Sequence, residues 1–205
     1  MPQVNNTSRG RPPTTSRDAV GQYALQVFSE HGFEETTLDD IAKGLGIGRR
    51  TLFRYFDSKN DMVWGDFDRV LGRLREELSA RPPDASLMET LRAAVIASNT
   101  YPPAAEGELR IRMTLITTVP ALQAHSMLRY ADWRNVVAEF AAERLGASAH
   151  DLIPRSLGYA ALAASTAAFT HWVEHPGEDL LKLLHRSYGL MAAGFDPERF
   201  ETMHN

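Results

Sequence analysis

The chain contains no cysteine, and this absence removes several kinds of chemistry at once. Disulfide bonds, thiolate metal sites and a cysteine nucleophile are all excluded. No run of about eighteen apolar residues occurs, so the sequence predicts no membrane-spanning helix and no membrane partner. The first fifteen residues also lack the apolar core of a secretory signal peptide. Together these absences predict a cytoplasmic protein.

Strict alternation of apolar and polar residues, which is typical of β-strands, is missing as well. Apolar residues make up 43% of the 205 residues, and they recur instead at helical spacing through most of the chain. We therefore predict an all-α fold of about nine helices. These helices are expected over 16–31, in two short segments within 37–57, over 58–80, from 86 to the prolines at 102–103, and near 108–118, 121–145, 154–174 and 178–193.

The sequence divides into three expected regions. Residues 1–15, MPQVNNTSRGRPPTT, are polar and contain three prolines, a composition that predicts a disordered basic arm. Residues 16–60 form the first predicted domain and 61–205 the second. Residues 1–60 hold eight Lys and Arg against seven Asp and Glu, whereas 61–205 hold fourteen against nineteen. The overall charge of −4 therefore comes from the second domain.

The segment TLDDIAKGLGIGRRTLFRYFDSK, residues 37–59, carries the most informative pattern. Thr37 and Asp40 have the spacing of a capping box, which starts a helix. Glycines then interrupt the chain before a second short helix that carries Arg49 and Arg50, with Arg54 beside them. Two helices joined by a tight turn, with basic residues near the start of the second, are typical of helix-turn-helix DNA-binding proteins.

The longer segment GFEETTLDDIAKGLGIGRRTLFRYFDSKNDMV resembles the amino-terminal domain of TetR-family bacterial transcriptional regulators, over roughly residues 16–64. The resemblance implies a three-helix helix-turn-helix domain followed by a helical ligand-binding and dimerisation domain. Three later segments are similar to the TetR-family regulators that accompany mycofactocin biosynthesis genes. These segments are WGDFDRVLGRL, NTYPP and VPALQAHSMLRYADWRNVVAEF.

Candidate contacts to double-stranded DNA follow from the second helix and from the resemblance. Arg49 and Arg50 are expected to read base edges, because arginine is the commonest bidentate partner of guanine. Thr51 is a candidate for a phosphate or a thymine methyl group. The resemblance implies backbone contacts for Thr37, Tyr55 and Lys59.

Gly48, Phe53 and the two arginines of the arm need separate comment, and the last two of these features leave alternatives open. Gly48 replaces the serine or threonine often found in the family before this helix, which removes a cap. Phe53 replaces a frequent tyrosine and either faces the DNA or packs inside. Arg9 and Arg11, on the arm, either enter a minor groove or belong to a solvated tail.

The resemblance also implies an effector cavity among the helices of the second domain. Its candidate lining residues are mostly apolar. Four arginines, Arg110, Arg112, Arg129 and Arg134, either meet an acidic group at its mouth or are exposed to solvent. A small hydrophobic or acyl-type effector would suit such a cavity, although ordinary core packing explains many of the same residues. The candidates are Trp64, Tyr101, Arg112, Met113, Ile116, Arg129, Tyr130, Trp133, Val137 and Phe169.

Residues 157–169 are apolar or small almost all round, so this helix must be covered on more than one side. Together with the helix over 178–193, it predicts a four-helix homodimer interface. The alternative is that it is simply the central helix of a monomer.

Two other patterns could suggest different chemistry. Gly44-Leu-Gly46-Ile-Gly48 follows a capped helix rather than a strand, so it is a turn and not a phosphate loop. His171 and His175 lie one helical turn apart and could share a metal, but imidazoles at a helix end also meet its free carbonyls. We predict no metal site, no cofactor and no catalytic residue.

The sequence thus predicts a ligand-responsive homodimeric repressor that binds a palindromic operator. An enzyme or carrier of small hydrophobic molecules that retains a regulator fold is the alternative.

Overall fold

The computed structural model describes residues 16–82 and 84–196, and every regular element within these ranges is an α-helix. The all-α fold is therefore confirmed. The described residues include no helix long and apolar enough to cross a membrane. Arg9 and Arg11 of the arm lie outside the described residues. The helices are α1 (Arg17–His31), α2 (Leu38–Gly44), α3 (Arg49–Phe53), α4 (Lys59–Trp64), α5 (Phe67–Ser79), α6 (Leu87–Ser98), α7 (Pro103–Thr118), α8 (Pro120–Leu145), α9 (Leu152–Glu174) and α10 (Leu180–Ala192).

The chain forms two compact units, Met1–Gly65 and Asp66–Asn205. The first contains α1 to α4 and the second α5 to α10. The first unit extends five residues beyond the boundary expected from the sequence. Met62 and Val63 explain this difference, since both are fully buried in α4, which packs against α1.

A break at Gly65 corrects the single helix expected over 58–80. Gly65 adopts a φ of +62°, a conformation that costs glycine little and ends α4 after Trp64. The carboxylate of Asp66 then accepts a hydrogen bond from the amide of Arg69 and starts α5. The helix expected near 108–118 also begins earlier, because Pro103 occupies its first turn, where proline leaves no helical bond unmade.

Several helix starts lie where the sequence places them. The hydroxyl oxygens of Thr37, Ser58 and Ser86 each accept a hydrogen bond from the backbone amide three residues further along. At Thr37 the full capping box is present. These caps satisfy amides that the first turn of a helix leaves unpaired, and they fix where each helix enters its unit.

In the second unit α9 packs closely against both α8 and α10. A Cβ atom added to Gly158 would lie 2.7 Å from the carbonyl oxygen of Arg134 in α8, so α9 approaches α8 at this point more closely than any side chain allows. No other residue type fits at position 158 without moving one of the two helices.

On the other side of α9, hydroxyl groups connect it to α10. The hydroxyl of Tyr188 donates to the carbonyl of Ala161 at 2.9 Å and lies 2.8 Å from the Ser165 hydroxyl, from which it accepts. Ser187 donates to the carbonyl of Ala164 at 2.8 Å. Tyr188 is fully buried, and this burial raises the pKa of its phenol. The bonds fix the register of α10 on α9, because a buried hydroxyl without partners would destabilise the unit.

Replacement of Gly158 by alanine should lower the free energy of unfolding by about 1–3 kcal/mol, because the added methyl group meets a backbone oxygen that cannot rotate away. Urea denaturation followed by circular dichroism measures the change. Gly107→Ala is the matched control, since nothing lies within 4 Å of a Cβ at that position in α7. Alanine there should stabilise the helix by up to about 1 kcal/mol. Equal effects of the two substitutions would contradict the close approach of α8 and α9.

Candidate DNA-binding surface and effector residues

The helix-turn-helix of the first unit is formed by α2 and α3 around a buried apolar side. Ile41 and Leu52 are fully buried, and Phe56, just after α3, is 2% exposed. The Arg17 guanidinium lies 4.7 Å from the Phe56 ring centre. These contacts orient the short α3, which has too few turns to be stable alone, and leave its other side to solvent.

The exposed side of α3 carries Arg49, Arg50 and Phe53. Phe53 is 42% exposed, so it does not pack in the core of the unit. The Arg49 guanidinium lies 5.6 Å from the Phe53 ring centre and 3.4 Å from a carboxylate oxygen of Asp39. Both partners of this ion pair are well exposed, and such a pair contributes little to stability. Arg49 can therefore leave Asp39 for a stronger acceptor at little cost.

Arg50 differs from Arg49, because no carboxylate among the described residues lies within 4 Å of its guanidinium. Thr51, one residue further, is half-buried. Gly48 begins α3 without a side-chain cap, as its lack of a hydroxyl requires. The structure thus brings Gly48, Arg49, Arg50 and Phe53 together on one exposed surface, which we call the α3 surface.

Thr37 is held within its own capping box. Its hydroxyl donates to Asp40 at 2.6 Å and its amide donates to the same oxygen at 3.0 Å. The hydrogen bond from the Thr37 hydroxyl, and then that from its amide, lower the pKa of the Asp40 carboxyl group. Tyr55 is half-buried, and its hydroxyl oxygen accepts a 3.3 Å hydrogen bond from Arg54.

Lys59 makes contacts that the sequence did not suggest. Its ammonium group donates to the carbonyl oxygens of Phe33 at 2.6 Å and Thr36 at 3.1 Å, and it lies 4.2 Å from the Phe33 ring centre. The side chain is half-buried and connects the start of α4 to the turn between α1 and α2. No local pattern marks these acceptors, because they precede Lys59 by more than twenty residues. Asp39, the partner of Arg49, was missed for a similar reason, since the two lie on different helices.

The effector candidates divide between the two units. Trp64 belongs to the first unit, where it is 6% exposed, and the other nine belong to the second. Ile116 and Val137 are buried, whereas Tyr101, Met113, Arg129, Tyr130, Trp133 and Phe169 are half-buried. Burial raises the pKa of the Tyr101 and Tyr130 phenols. The α7, α8 and α9 helices that carry most of these residues pack on one another, and their role in effector binding stays a prediction.

Two arginines of α7 have partners within the unit. Arg112 forms a 2.7 Å ion pair with Glu108. Arg110 forms a 3.3 Å ion pair with Glu106, donates to the Trp172 carbonyl at 2.6 Å and lies 3.8 Å from the centre of the Trp172 ring system. The Arg110 side chain therefore connects α7 to α9.

The two histidines at the end of α9, His171 and His175, make the kind of contact with a helix-end carbonyl that was the alternative to a shared metal. Their rings stack with centres 4.0 Å apart, and Nδ1 of His175 lies 2.8 Å from the carbonyl oxygen of His171. The His171 carbonyl, which also accepts from the His175 amide at 3.0 Å, thus engages one imidazole at the helix end.

Comparison with known proteins agrees with this two-unit arrangement. The protein-family model described as "Bacterial regulatory proteins, tetR family" matches residues 22–63. A second family model, described as "MftR C-terminal domain", matches residues 85–196. The second match alone covers more than half of the chain. The protein belongs to the TetR family.

The TetR-family assignment extends along the whole chain. A protein of Mycobacterium tuberculosis that carries the name mycofactocin biosynthesis transcriptional regulator MftR is 37% identical over 196 residues, which are 96% of this chain and 98% of the relative. The protein is therefore a TetR-family transcriptional regulator and a homologue of that mycofactocin regulator.

Two solved structures share the TetR fold. The fatty acid degradation regulator FadR of Bacillus halodurans superposes with a TM-score of 0.59 at 22% identity, covering 85% of this chain and 97% of that one. FadR of Thermus thermophilus, solved in complex with lauroyl-CoA, has a TM-score of 0.56 at 22% identity and covers 87% and 94%.

Replacement of Arg50 by alanine should weaken binding to operator DNA by ~1–3 kcal/mol. The expected reason is that Arg50 is exposed at the start of α3, the helix that a helix-turn-helix directs into the major groove. The measurement is fluorescence anisotropy with the intergenic DNA beside the gene at fixed salt. Lys43→Ala is the matched control, since Lys43 is an exposed cation at the end of α2. Operator affinity equal to that of the wild type in the Arg50 variant would remove its base-reading role.

Replacement of Lys59 by methionine should destabilise the first unit by about 1–3 kcal/mol, because two carbonyl groups lose a charged donor. Thermal melting followed by circular dichroism tests this, with the exposed Lys43→Met as control. A Lys59→Met protein that melts like the wild type but loses DNA affinity would instead support the backbone contact implied by the family.

Proposed function

We propose that this TetR-family regulator is a homodimeric repressor of the cytoplasm that is released from a palindromic operator by a small acyl-type effector. The observation that carries the proposal is the α3 surface. Leu52 anchors α3 in the core while Arg49 and Arg50 extend from the opposite side. Such a surface suits a major groove, where an arginine fork can donate two hydrogen bonds to guanine.

A single α3 of five residues reads only a few base pairs, so specific binding requires two copies. A two-fold dimer places its two recognition helices on half-sites about 34–36 Å apart, one turn of the duplex. The operator of such a dimer is palindromic, because the symmetry of the site mirrors that of the protein.

The outward side of α9 supplies a surface on which the second copy can pack. Ser156, Ala163 and Ala167 are exposed and recur at helical spacing, forming a line of small residues that we call the α9 stripe. Small side chains allow another helix to approach closely. Ala164, one residue away, is 3% exposed and faces α10. A charge at Ala164 would therefore report on folding, whereas a charge on the α9 stripe would report on assembly.

An acyl-type effector is supported by the composition of the second unit and by the FadR structure. The half-buried Met113, Tyr130, Trp133 and Phe169 lie on helices that pack together. The Thermus thermophilus relative is a transcriptional repressor whose structure holds lauroyl-CoA. Lauroyl-CoA is for this reason the first probe to use.

Lauroyl-CoA should release the protein from the intergenic DNA in a gel-shift titration. Because binding linkage is reciprocal, DNA should weaken lauroyl-CoA binding by the same factor. The thioester at about 100 times its dissociation constant should also stabilise the protein by ~2.7 kcal/mol. A protein that binds the DNA but is insensitive to acyl thioesters and fatty acids would contradict the effector and leave the repressor untouched. Thioester binding without any DNA binding would favour a carrier.

Replacement of Ala163 by arginine should convert a dimer into a folded monomer and weaken operator binding, because an isologous contact repeats the added charge on both sides. Sedimentation velocity measures assembly, and circular dichroism confirms folding. Ala124→Arg is the matched control, since Ala124 is an exposed alanine of a different helix, α8. If both variants remain dimers, the α9 stripe is not the interface.

A further inference from the structure

A cleft of about 240 Å³ opens in the second unit between α8 and the first turns of α9. Arg134 and Asn135 line it from α8, His150 from the connecting loop, and Arg155 and Tyr159 from α9. Arg134 is a candidate for the mouth of the effector cavity, and no other residue assigned to the α3 surface or to that cavity lines the cleft. The proposed function therefore gives no role to the other polar side chains of this group.

The charged side chains that line the cleft are all positive. Arg134 and Arg155 are both cationic, and the described residues that line the cleft include no Asp or Glu. Asp151 is the nearest acidic residue in sequence, but its carboxylate accepts a 3.0 Å hydrogen bond from the Ser148 amide within the loop. This carboxylate is engaged with the loop and is not among the groups that line the cleft.

Arg134 is held in a defined position. Its guanidinium lies 4.3 Å from the ring centre of Tyr159, and its carbonyl is the backbone group that Gly158 approaches. Stacking uses the face of a guanidinium and leaves the N–H groups on its edge free to donate to an acceptor in the same plane. A positioned arginine loses less conformational entropy on binding an anion than a mobile one does.

Arg155 supplies the second guanidinium. Its side chain is exposed, and no carboxylate of the described chain lies within 4 Å of it. Arg110 and Arg112 of the same unit are, by contrast, ion-paired with glutamates on their own helix. Arg134 and Arg155 therefore remain available for an anion from outside.

We propose that this cleft binds a phosphate group, as a phosphomonoester or a diphosphate. Two guanidinium groups offer more donors than a single carboxylate can use, whereas a phosphate has more acceptor oxygens and a higher charge. The volume is below the roughly 300–1,000 Å³ typical of whole-ligand pockets, so it suits a compact anionic group. The phosphate comes either from a free phosphate ester or from the phosphorylated part of a larger ligand such as an acyl thioester of coenzyme A. This site goes beyond the proposed function and requires neither a dimer nor an operator.

Isothermal titration of the full-length protein with pyrophosphate, in chloride buffer without phosphate or sulfate, tests the site. The wild type should bind pyrophosphate, and Arg155→Gln should weaken binding by about tenfold or more, since a hydrogen bond to a charged group is lost. Arg134→Gln should do the same. Arg75→Gln is the matched control, because Arg75 is exposed on α5 outside the cleft, and it should leave the affinity unchanged. Melting curves without ligand show that each variant is folded.

Absence of pyrophosphate binding at millimolar concentration would overturn the proposal. Equal affinity in the wild type and in folded Arg155→Gln and Arg134→Gln variants would overturn it as well. Either failure would leave the proposed function intact, because operator binding by these variants is measured separately and should equal that of the wild type.

A competition experiment separates the two sources of phosphate. If coenzyme A displaces pyrophosphate and Arg155→Gln weakens lauroyl-CoA but not laurate, the cleft holds the phosphorylated part of the thioester. If pyrophosphate and lauroyl-CoA bind together and Arg155→Gln affects only pyrophosphate, the cleft takes a free phosphate ester. Both results support a phosphate site and assign its ligand.

Discussion

The close contact of α9 with both of its neighbours is the constraint on which the second unit depends. Gly158 brings one side of α9 against the backbone of α8, and the Tyr188 hydroxyl fixes the other side to α10 through Ala161 and Ser165. A helix held on two sides at this distance cannot shift along its axis without losing buried hydrogen bonds or creating a steric clash. Its remaining surface is therefore presented in a fixed register.

This fixed register gives the outer surface of α9 two distinct parts. The part nearer to α8 carries Arg155 and Tyr159, which form the basic cleft with Arg134. The part further round carries Ala163 and Ala167, which are small and uncharged. The cleft and the proposed dimer contact thus adjoin on one helix, since Tyr159 precedes Ala163 by about one helical turn. Because both parts depend on one rigid helix, a phosphate bound in the cleft would lie beside the proposed dimer contact.

Local features of the fold could be predicted from the sequence, and features that depend on distant contacts could not. The caps at Thr37, Ser58 and Ser86 depend on residues within one helical turn, so their spacing predicts them. The break at Gly65 was missed because apolar spacing continues across it. For the candidate site, the sequence placed Arg49 and Arg50 on the exposed side of α3. It could not show that Lys59 faces two backbone carbonyls or that Arg110 donates to the Trp172 carbonyl of α9, since each of these contacts depends on which distant acceptor folding brings nearest.

In the second unit, arginines that are ion-paired within the chain have a structural role, whereas the two arginines of the cleft, with no carboxylate of the described residues nearby, are available to bind an anion. Residues 66–205 carry fourteen Lys and Arg against eighteen Asp and Glu, so an anion approaching the second unit is repelled on average. Repulsion of this kind is screened beyond about 10 Å at moderate salt, whereas the guanidinium groups of the cleft act at contact distance. An acidic surface with a local basic cleft therefore admits a compact, highly charged group and disfavours nonspecific binding of long polyanions such as DNA. The α3 surface differs from the cleft in its surroundings, because Arg49 and Arg50 belong to the less acidic unit. Both arginines also face solvent, where a duplex can reach them.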